Sequence, residues 1–440
     1  MIKRLPLLYR HVLYNLRGGF LVRPLIITLA LGICGGLLSQ MENAMPWLSG
    51  WAPRWLFPSH IDFQVAQIIL SSIATSVMTV VSIVFAILLM TLTLASMQFS
   101  PRIIVSFAQD RVTQWTLGIF LGTFSYCIAA LPAAHNYPKS FEPVVTVMGG
   151  MLLATMCVAW LLFFIHHISQ AISVNHIVDR IASETVAMIM ELMPDPVRRH
   201  KWSSEDLPSP PSTGEAVMCP ASGYIRFVDT ARLVELATQH RFAIYVLRRV
   251  GHFVPEGVPL IVVSKEGRMT PELATELGAS FDIGPSRTLQ QDVEFGILQI
   301  VDIALKAISP AVNDPTTAIT CVDQLSRILI CFAGRQSLEE GYYNPPGVLR
   351  VAVPRHELDK LVDSAFEQIR SYATRDVVVS LRVIRALNDI GTTIHDSEIR
   401  KVLAERGRRV VDGVAKELGE DTAKDLRLRQ AMIDALVAKA

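Results

Sequence analysis

Eight residues in one apolar stretch recur at alternating intervals of three and four: Ser72, Thr75, Thr79, Ser82, Ala86, Leu89, Thr93 and Ser96. On a helix that spacing places them on one face. All but Leu89 are small or hydroxylic, whereas Val77, Val80, Val84, Leu88 and Leu92 fall elsewhere. Such a face can wet the wall of a pore or ligand path. It can equally be a close-packed seam, because small and hydroxyl residues favour helix association in lipid, and hydroxyls also bond back to their own backbone. The two readings coexist if the helix packs against copies of itself. Gly32 and Gly36, four apart, form a second and weaker small-residue seam.

A second group is rich in charge and amides. It comprises Arg287, Gln290, Gln291, Asp292, Phe295, Gly296, Asp302 and Lys306, followed by the run Ser309–Ala318 with Asn313 and Asp314. Part of it is local punctuation: Pro310 stops one helix, Asp314 caps the next, and Pro315 sits at its first position. Asp302 and Lys306 are spaced as an i,i+4 pair, worth a few tenths of a kcal/mol. Helix packing requires neither Arg287 nor the Gln290-Gln291-Asp292 run. Brought together, Arg287, Gln291, Asp292, Asn313 and Asp314 could hold an ion or an anionic ligand; the structural and the ligand-binding readings both stand.

The elements that carry these groups follow from the distribution of charge. The chain has 440 residues, 51% of them hydrophobic and 18% charged, with mean hydropathy +0.37. A soluble globular chain carries about 25% charge, so part of this one belongs in lipid. Pro24–Gln40, Val65–Gln98, Trp115–Pro138 and Pro143–Gln170 contain no Asp, Glu, Lys or Arg. Each suits a helix crossing a hydrocarbon core of about 30 Å. The expected fold is therefore an α-helical membrane protein with four transmembrane helices in residues 24–170. Lys3, Arg4, Arg10, Arg17 and Arg23 precede the first span, Arg102 and Arg111 follow the second, and Arg180, Arg198, Arg199 and Lys201 follow the fourth. Arg54 and Lys139 are alone in the other two connections. The positive-inside rule then puts both termini in the cytoplasm. Residues 1–23 read as an uncleaved basic helix lying on the inner leaflet, and Trp47, Trp51 and Trp55 as an aromatic belt.

Beyond the spans the periods change. Residues 171–202 read as a helical extension and 203–214, with three prolines, as a linker. Short β-type runs occupy a small β-rich domain over 215–270, and helices follow over 271–440 as a bundle. The glycine turns at Ser222-Gly223-Tyr224-Ile225, Gly251-His252-Phe253-Val254 and Gly257-Val258-Pro259-Leu260 resemble the small β-sandwich of biotinyl and lipoyl carriers. No lysine stands in the carrier hairpin, so the resemblance implies a fold and no carrier activity.

Four sets of residues together resemble a bacterial family of predicted inner-membrane proteins, a domain of unknown function. They are Gln98-Phe99-Ser100-Pro101-Arg102, Leu117-Gly118-Ile119-Phe120 with Tyr126, Gln291-Asp292 with Phe295-Gly296, and the Ser309–Ala318 run. The resemblance implies an inner-membrane location and the plan of four spans plus a cytoplasmic domain, and it supplies no reaction.

Several functions are excluded or disfavoured. A formal net charge of +1, from 41 basic and 40 acidic residues, offers no field for nucleic acid. Six cysteines show no CxxC or mixed His/Cys spacing, which argues against zinc and a disulfide framework. No GxSxG, P-loop, HExxH or GxGxxG motif occurs; no catalytic residue, cofactor or metal is expected. The charge-free spans lack a carboxylate relay for ion-coupled transport; His166 and His167 stand at the inner end of the fourth. Two functions remain. One is a homo-oligomeric ion channel or passive conduit with a cytoplasmic regulatory domain. The other is a membrane-anchored sensor or scaffold that binds a small ligand or protein. The expected partners are the bilayer, further copies through the transmembrane helices, and a small ligand or ion.

Overall fold

Each of the four charge-free stretches contains a long helix. A computed structural model describes residues 22–45, 63–98, 111–135, 143–171, 173–193, 214–264, 269–335, 341–344, 348–354, 356–394 and 396–438. The expected inner-leaflet helix, the tryptophan belt and the linker lie almost wholly outside the described residues. The chain divides into two units, residues 1–173 and 174–440.

The first unit contains α1 (Val22–Ala44), α2 (Phe63–Gln98), α3 (Arg111–His135) and α4 (Val144–Ala171). These 23, 36, 25 and 28 residues are each long enough for a hydrocarbon core at 1.5 Å per residue. On α2, Ala66, Leu70, Ala74, Val77, Val81 and Val84 recur at three and four and are all buried. They meet Phe120, Tyr126 and Cys127 of α3 and Val147, Cys157 and Phe164 of α4. Helices α1 and α3 approach closely through reciprocal glycines. A Cβ on Gly35 would lie 2.6 Å from the Tyr126 carbonyl oxygen, and one on Gly122 would lie 2.5 Å from Leu31 Cδ1. The small-residue seam is thus Gly32 with Gly35; Gly36 has ordinary contacts at 3.8 Å.

In the second unit, α5 (Val174–Leu192) packs against α8 (Val293–Ala307) and α9 (Pro315–Ala333). The strands are β1 (Glu215–Met218), β2 (Gly223–Val228), β3 (Ile244–Val246), β4 (Phe253–Val254), β5 (Pro259–Val263), β6 (Phe281–Gly284), β7 (Gly341–Asn344) and β8 (Val348–Ala352). They make a five-stranded sheet ordered β1-β5-β3-β8-β7 and a three-stranded sheet ordered β4-β2-β6. Helices α6 (Thr230–His240) and α7 (Pro271–Gly278) contribute Leu233, Leu236, Leu273 and Leu277 to the same core.

The β-rich part therefore does not end at residue 270. Strand β6 pairs with β2, and β8 runs parallel to β3. A strand's own pattern marks it as a strand and says nothing of its partner, so these late strands were absorbed into the helical region. The remaining helices, α10 (Leu358–Tyr372), α11 (Val377–Thr393), α12 (Ser397–Leu418) and α13 (Lys424–Ala438), match the expected bundle. Asp292, Asp314, Asp376 and Asp396 cap α8, α9, α11 and α12 with their side chains.

By length and composition, five of the described helices could cross a membrane: α1 to α4, and α9 over Pro315–Ala333. The fifth is amphipathic. Cys321, Val322, Leu325, Ile328, Leu329 and Phe332 are buried, while Asp323 pairs with Arg382 of α11 and Arg327 with Asp179 of α5.

Candidate functional site

Because Val77, Val81 and Val84 of α2 turn inward, its hydroxyl stripe turns outward. Ser72, Thr75, Thr79, Ser82, Ala86, Leu89 and Thr93 are all exposed; the Ser96 side chain is outside the described residues. The stripe faces away from the apolar core of its own unit. Thr75, Thr79, Ser82 and Thr93 donate to the carbonyl four residues earlier, at 2.9, 3.0, 3.1 and 2.8 Å. Each donor is thereby satisfied, and oxygen lone pairs remain on the surface. Beside the stripe lies an open groove of about 400 Å³, walled by Ser71, Thr75, Met78, Thr79 and Ser82 of α2 and by Phe124, Ile128 and Leu131 of α3. Ser71 belongs to this wall at the helical interval before Thr75, and the sequence reading passed over it.

A second polar feature of the first unit was also missed. Glu42, two residues beyond the first charge-free stretch, is 1% exposed. Its Oε1 accepts from Val145 N at 2.7 Å, and its Oε2 accepts from Thr146 N at 2.9 Å and Thr146 Oγ1 at 2.7 Å. A carboxylate on α1 thus satisfies the free N–H groups at the start of α4, where the helix dipole favours negative charge. Tyr126 donates to the Thr146 carbonyl at 3.0 Å and ties α3 into the same knot. His166 meets Gln170 at 3.2 Å, and His167 stacks on Phe163 with centroids 6.3 Å apart.

In the second unit the charged group is divided. Arg287 donates through Nε and Nη2 to the two oxygens of Asp292 at 2.7 and 2.8 Å, and through Nη2 to Glu294 Oε2 at 3.1 Å. Asp292 is fully buried and caps α8 by accepting from Phe295 N at 3.0 Å. Burial alone would ease the proton off Arg287, but the two carboxylates hold its pKa above the ordinary value. Burial likewise raises the Glu294 carboxyl, yet Arg287 outweighs it and the net shift is downward. Gln291 accepts from Val228 N at 3.0 Å and donates to the Val228 carbonyl at 3.3 Å, acting as a short extra edge on β2. Gln290 is exposed.

Asn313 and Asp314 lie at the other end of α8, whose 15 residues span roughly 22 Å. Asn313 takes a left-handed φ of 51°. Asp314 accepts from Thr317 N and Oγ1 at 3.1 and 2.6 Å, and these bonds pull its carboxyl below the usual range. The structure thus brings Arg287, Gln291 and Asp292 together and leaves Asn313 and Asp314 apart. An anion reaching Arg287 has to displace two carboxylates.

The sequence reading also missed the neighbours of this network. Ser364 of α10 donates to Glu294 Oε1 at 3.0 Å. Arg249 and His252 come from the β3–β4 connection, and His356 from the segment before α10. A Cβ on Gly251, whose φ is +89°, would lie 2.2 Å from Asp292 Oδ2; only glycine allows that loop to press on the carboxylate. Among the described residues no group of three His, Cys, Asp or Glu is placed to hold a metal.

Comparison with known proteins agrees with a membrane protein and adds no chemistry. Residues 17–389 match the model of a family described as "Predicted membrane protein (DUF2254)". An uncharacterised protein of Mycobacterium bovis is 30% identical over 372 residues, which is 83% of this chain and 71% of the relative. An uncharacterised protein of Mycobacterium tuberculosis matches to the same extent. No solved structure matches. With most of its length covered by that family model, the chain belongs to this family of membrane proteins.

Proposed function

We propose that the protein sits in the bacterial inner membrane, crosses it with α1 to α4, and assembles through the exposed face of α2 into a passive conduit for ions. Both termini and the second unit are then cytoplasmic, in keeping with the Lys and Arg of the short flanks. Helix α9 is not a span in this reading, since its apolar side is spent on the bundle and its charged side pairs with α5 and α11.

One observation carries the proposal: in α2 the stripe Ser72, Thr75, Thr79, Ser82, Ala86 and Thr93 is exposed while Val77, Val81 and Val84 are buried. A helix face that meets only hydrocarbon has no use for a ladder of hydroxyls. A face that meets other copies around a wetted axis uses them twice, for close packing and for polar contact with what passes.

Flux through the purified full-length protein in liposomes tests this. The expected result is a measurable ion leak that Ser82→Leu or Thr79→Leu abolishes while the protein still assembles. Folded wild-type protein that passes no common cation or anion overturns the conduit and favours a membrane-anchored scaffold.

A further inference from the structure

The network around Arg287 has an outer layer that the carboxylate pairing does not explain. Arg249 Nε donates to His252 Nε2 at 3.2 Å, and Arg249 Nη1 lies 3.4 Å from His356 Nδ1. A guanidinium has donors and no acceptor, so both imidazoles must present a lone pair to it. That fixes each histidine as neutral, with its proton on the other ring nitrogen.

The three residues join distant parts of the second unit. His252 belongs to a loop stitched to β2: its carbonyl accepts from Ile225 N at 3.0 Å, and Gly251 N donates to the Ile225 carbonyl at 2.8 Å. His356 immediately precedes α10, which holds Glu294 of α8 through Ser364. Arg249 thus closes the sheets onto the helices.

We propose that this junction is a proton-sensitive catch, in which protonation of His252 and His356 turns two acceptors that Arg249 meets into donors and loosens the β3–β4 loop from the helices. The groups facing the histidines decide the sign. His356 meets Arg249 and Arg287 on the cationic side and Asp292 and Glu294 on the other. His252 meets Arg249, Arg248 and Arg287 against Glu294. Asp292 and Glu294 are already bound by Arg287, so the added positive charge meets no free carboxylate among them.

Burial first, then Arg249, pushes His356 down to about 4 and His252 in the same direction. The open state, with histidines near their ordinary 6.5, therefore binds more protons than the closed one. Closure is strongest above pH 7 and weakens as pH falls through 6.5 towards 4. Glu294 is held below the ordinary carboxylate value, chiefly by Arg287 against the effect of burial. From pH 7 to pH 5, His356 alone shifts the opening equilibrium roughly twentyfold.

Amide hydrogen exchange on the full-length protein in detergent, read as protection factors at pH 7 and pH 5, tests the catch. Opening of residues 248–252 and of the first turn of α8 is expected to rise about twentyfold or more in the wild type. The His252→Gln/His356→Gln variant keeps side-chain acceptors and is expected to be flat. Equal wild-type protection at both pH values overturns the proposal, as does an unchanged response in the variant. Should the variant not fold, exchange at the histidine C2 positions of the unaltered protein decides: midpoints below 6.5 for both rings support the catch, and midpoints at or above 6.5 refute it.

Discussion

Two polar regions of this molecule have opposite designs. On α2, the hydroxyls of the stripe face outward from an apolar helix, bond to their own backbone, and leave the inward face to Ala66, Leu70, Ala74 and three valines. Around Arg287, charged groups within residues 287–294 bond to one another, with Asp292 fully buried and Arg287 and Glu294 largely so. The first region adds little to the fold of one copy and is exposed where a membrane protein meets lipid or another copy. The second is woven into the fold, so its chemistry is spent on registration. Polar groups displaced from where folding needs them point to function; polar groups that folding uses do not, unless protons can change the bonds they make.

Substitutions sharpen that contrast, and their effects on stability should decline as their effects on transport grow. The largest loss is expected for Asp292→Asn, which leaves the Arg287 guanidinium buried with one carboxylate and weakens the α8 cap. Breaking a buried pair from one side costs about 3–5 kcal/mol, read as a drop in the denaturation midpoint of the second unit. Glu42→Leu strands the Val145 and Thr146 N–H groups, each worth about 1–3 kcal/mol when left unsatisfied. The expected readout is a lower thermal midpoint in detergent.

Asp314→Ala removes a cap worth about 1 kcal/mol, since its carboxylate holds Thr317 at a helix start. The sign with pH is fixed by its depressed pKa. The Asp314 contribution is full above the ordinary carboxylate value of about 3.9 and is lost as pH falls through the lower folded value. Chemical denaturation should therefore separate wild type and variant at pH 7, and by less as pH is lowered below about 3.9. Ser82→Leu should change the stability of a single copy by less than about 0.5 kcal/mol while abolishing flux. A large loss of stability there would erase the contrast between the two regions.

How much could be read beforehand depended on the range of the signal. Absence of charge marked the spans, and Pro24–Gln40, Val65–Gln98, Trp115–Pro138 and Pro143–Gln170 became helices 22–44, 63–98, 111–135 and 144–171. Local punctuation marked the α8–α9 turn, where Asp314 and Pro315 start a helix as expected. Long-range pairing left no such mark. Glu42 meets Val145 across 103 residues, and Arg249 meets His356 across 107. Each looks ordinary in its own segment and acquires meaning only from its partner. The α2 stripe was legible as a face, but only burial of Val77, Val81 and Val84 decided that it points outward.

Single cysteines placed on α2 in membranes, in a background without the six native ones, test the central claim most directly. A membrane-impermeant thiol reagent reacts with thiolate, which forms in water and not in hydrocarbon. The account predicts rapid labelling of Thr79→Cys and Ser82→Cys and slow labelling of Ile83→Cys, an exposed position off the stripe. Labelling of all three at the same slow rate would mean that the hydroxyl face meets no water, and the conduit would be contradicted.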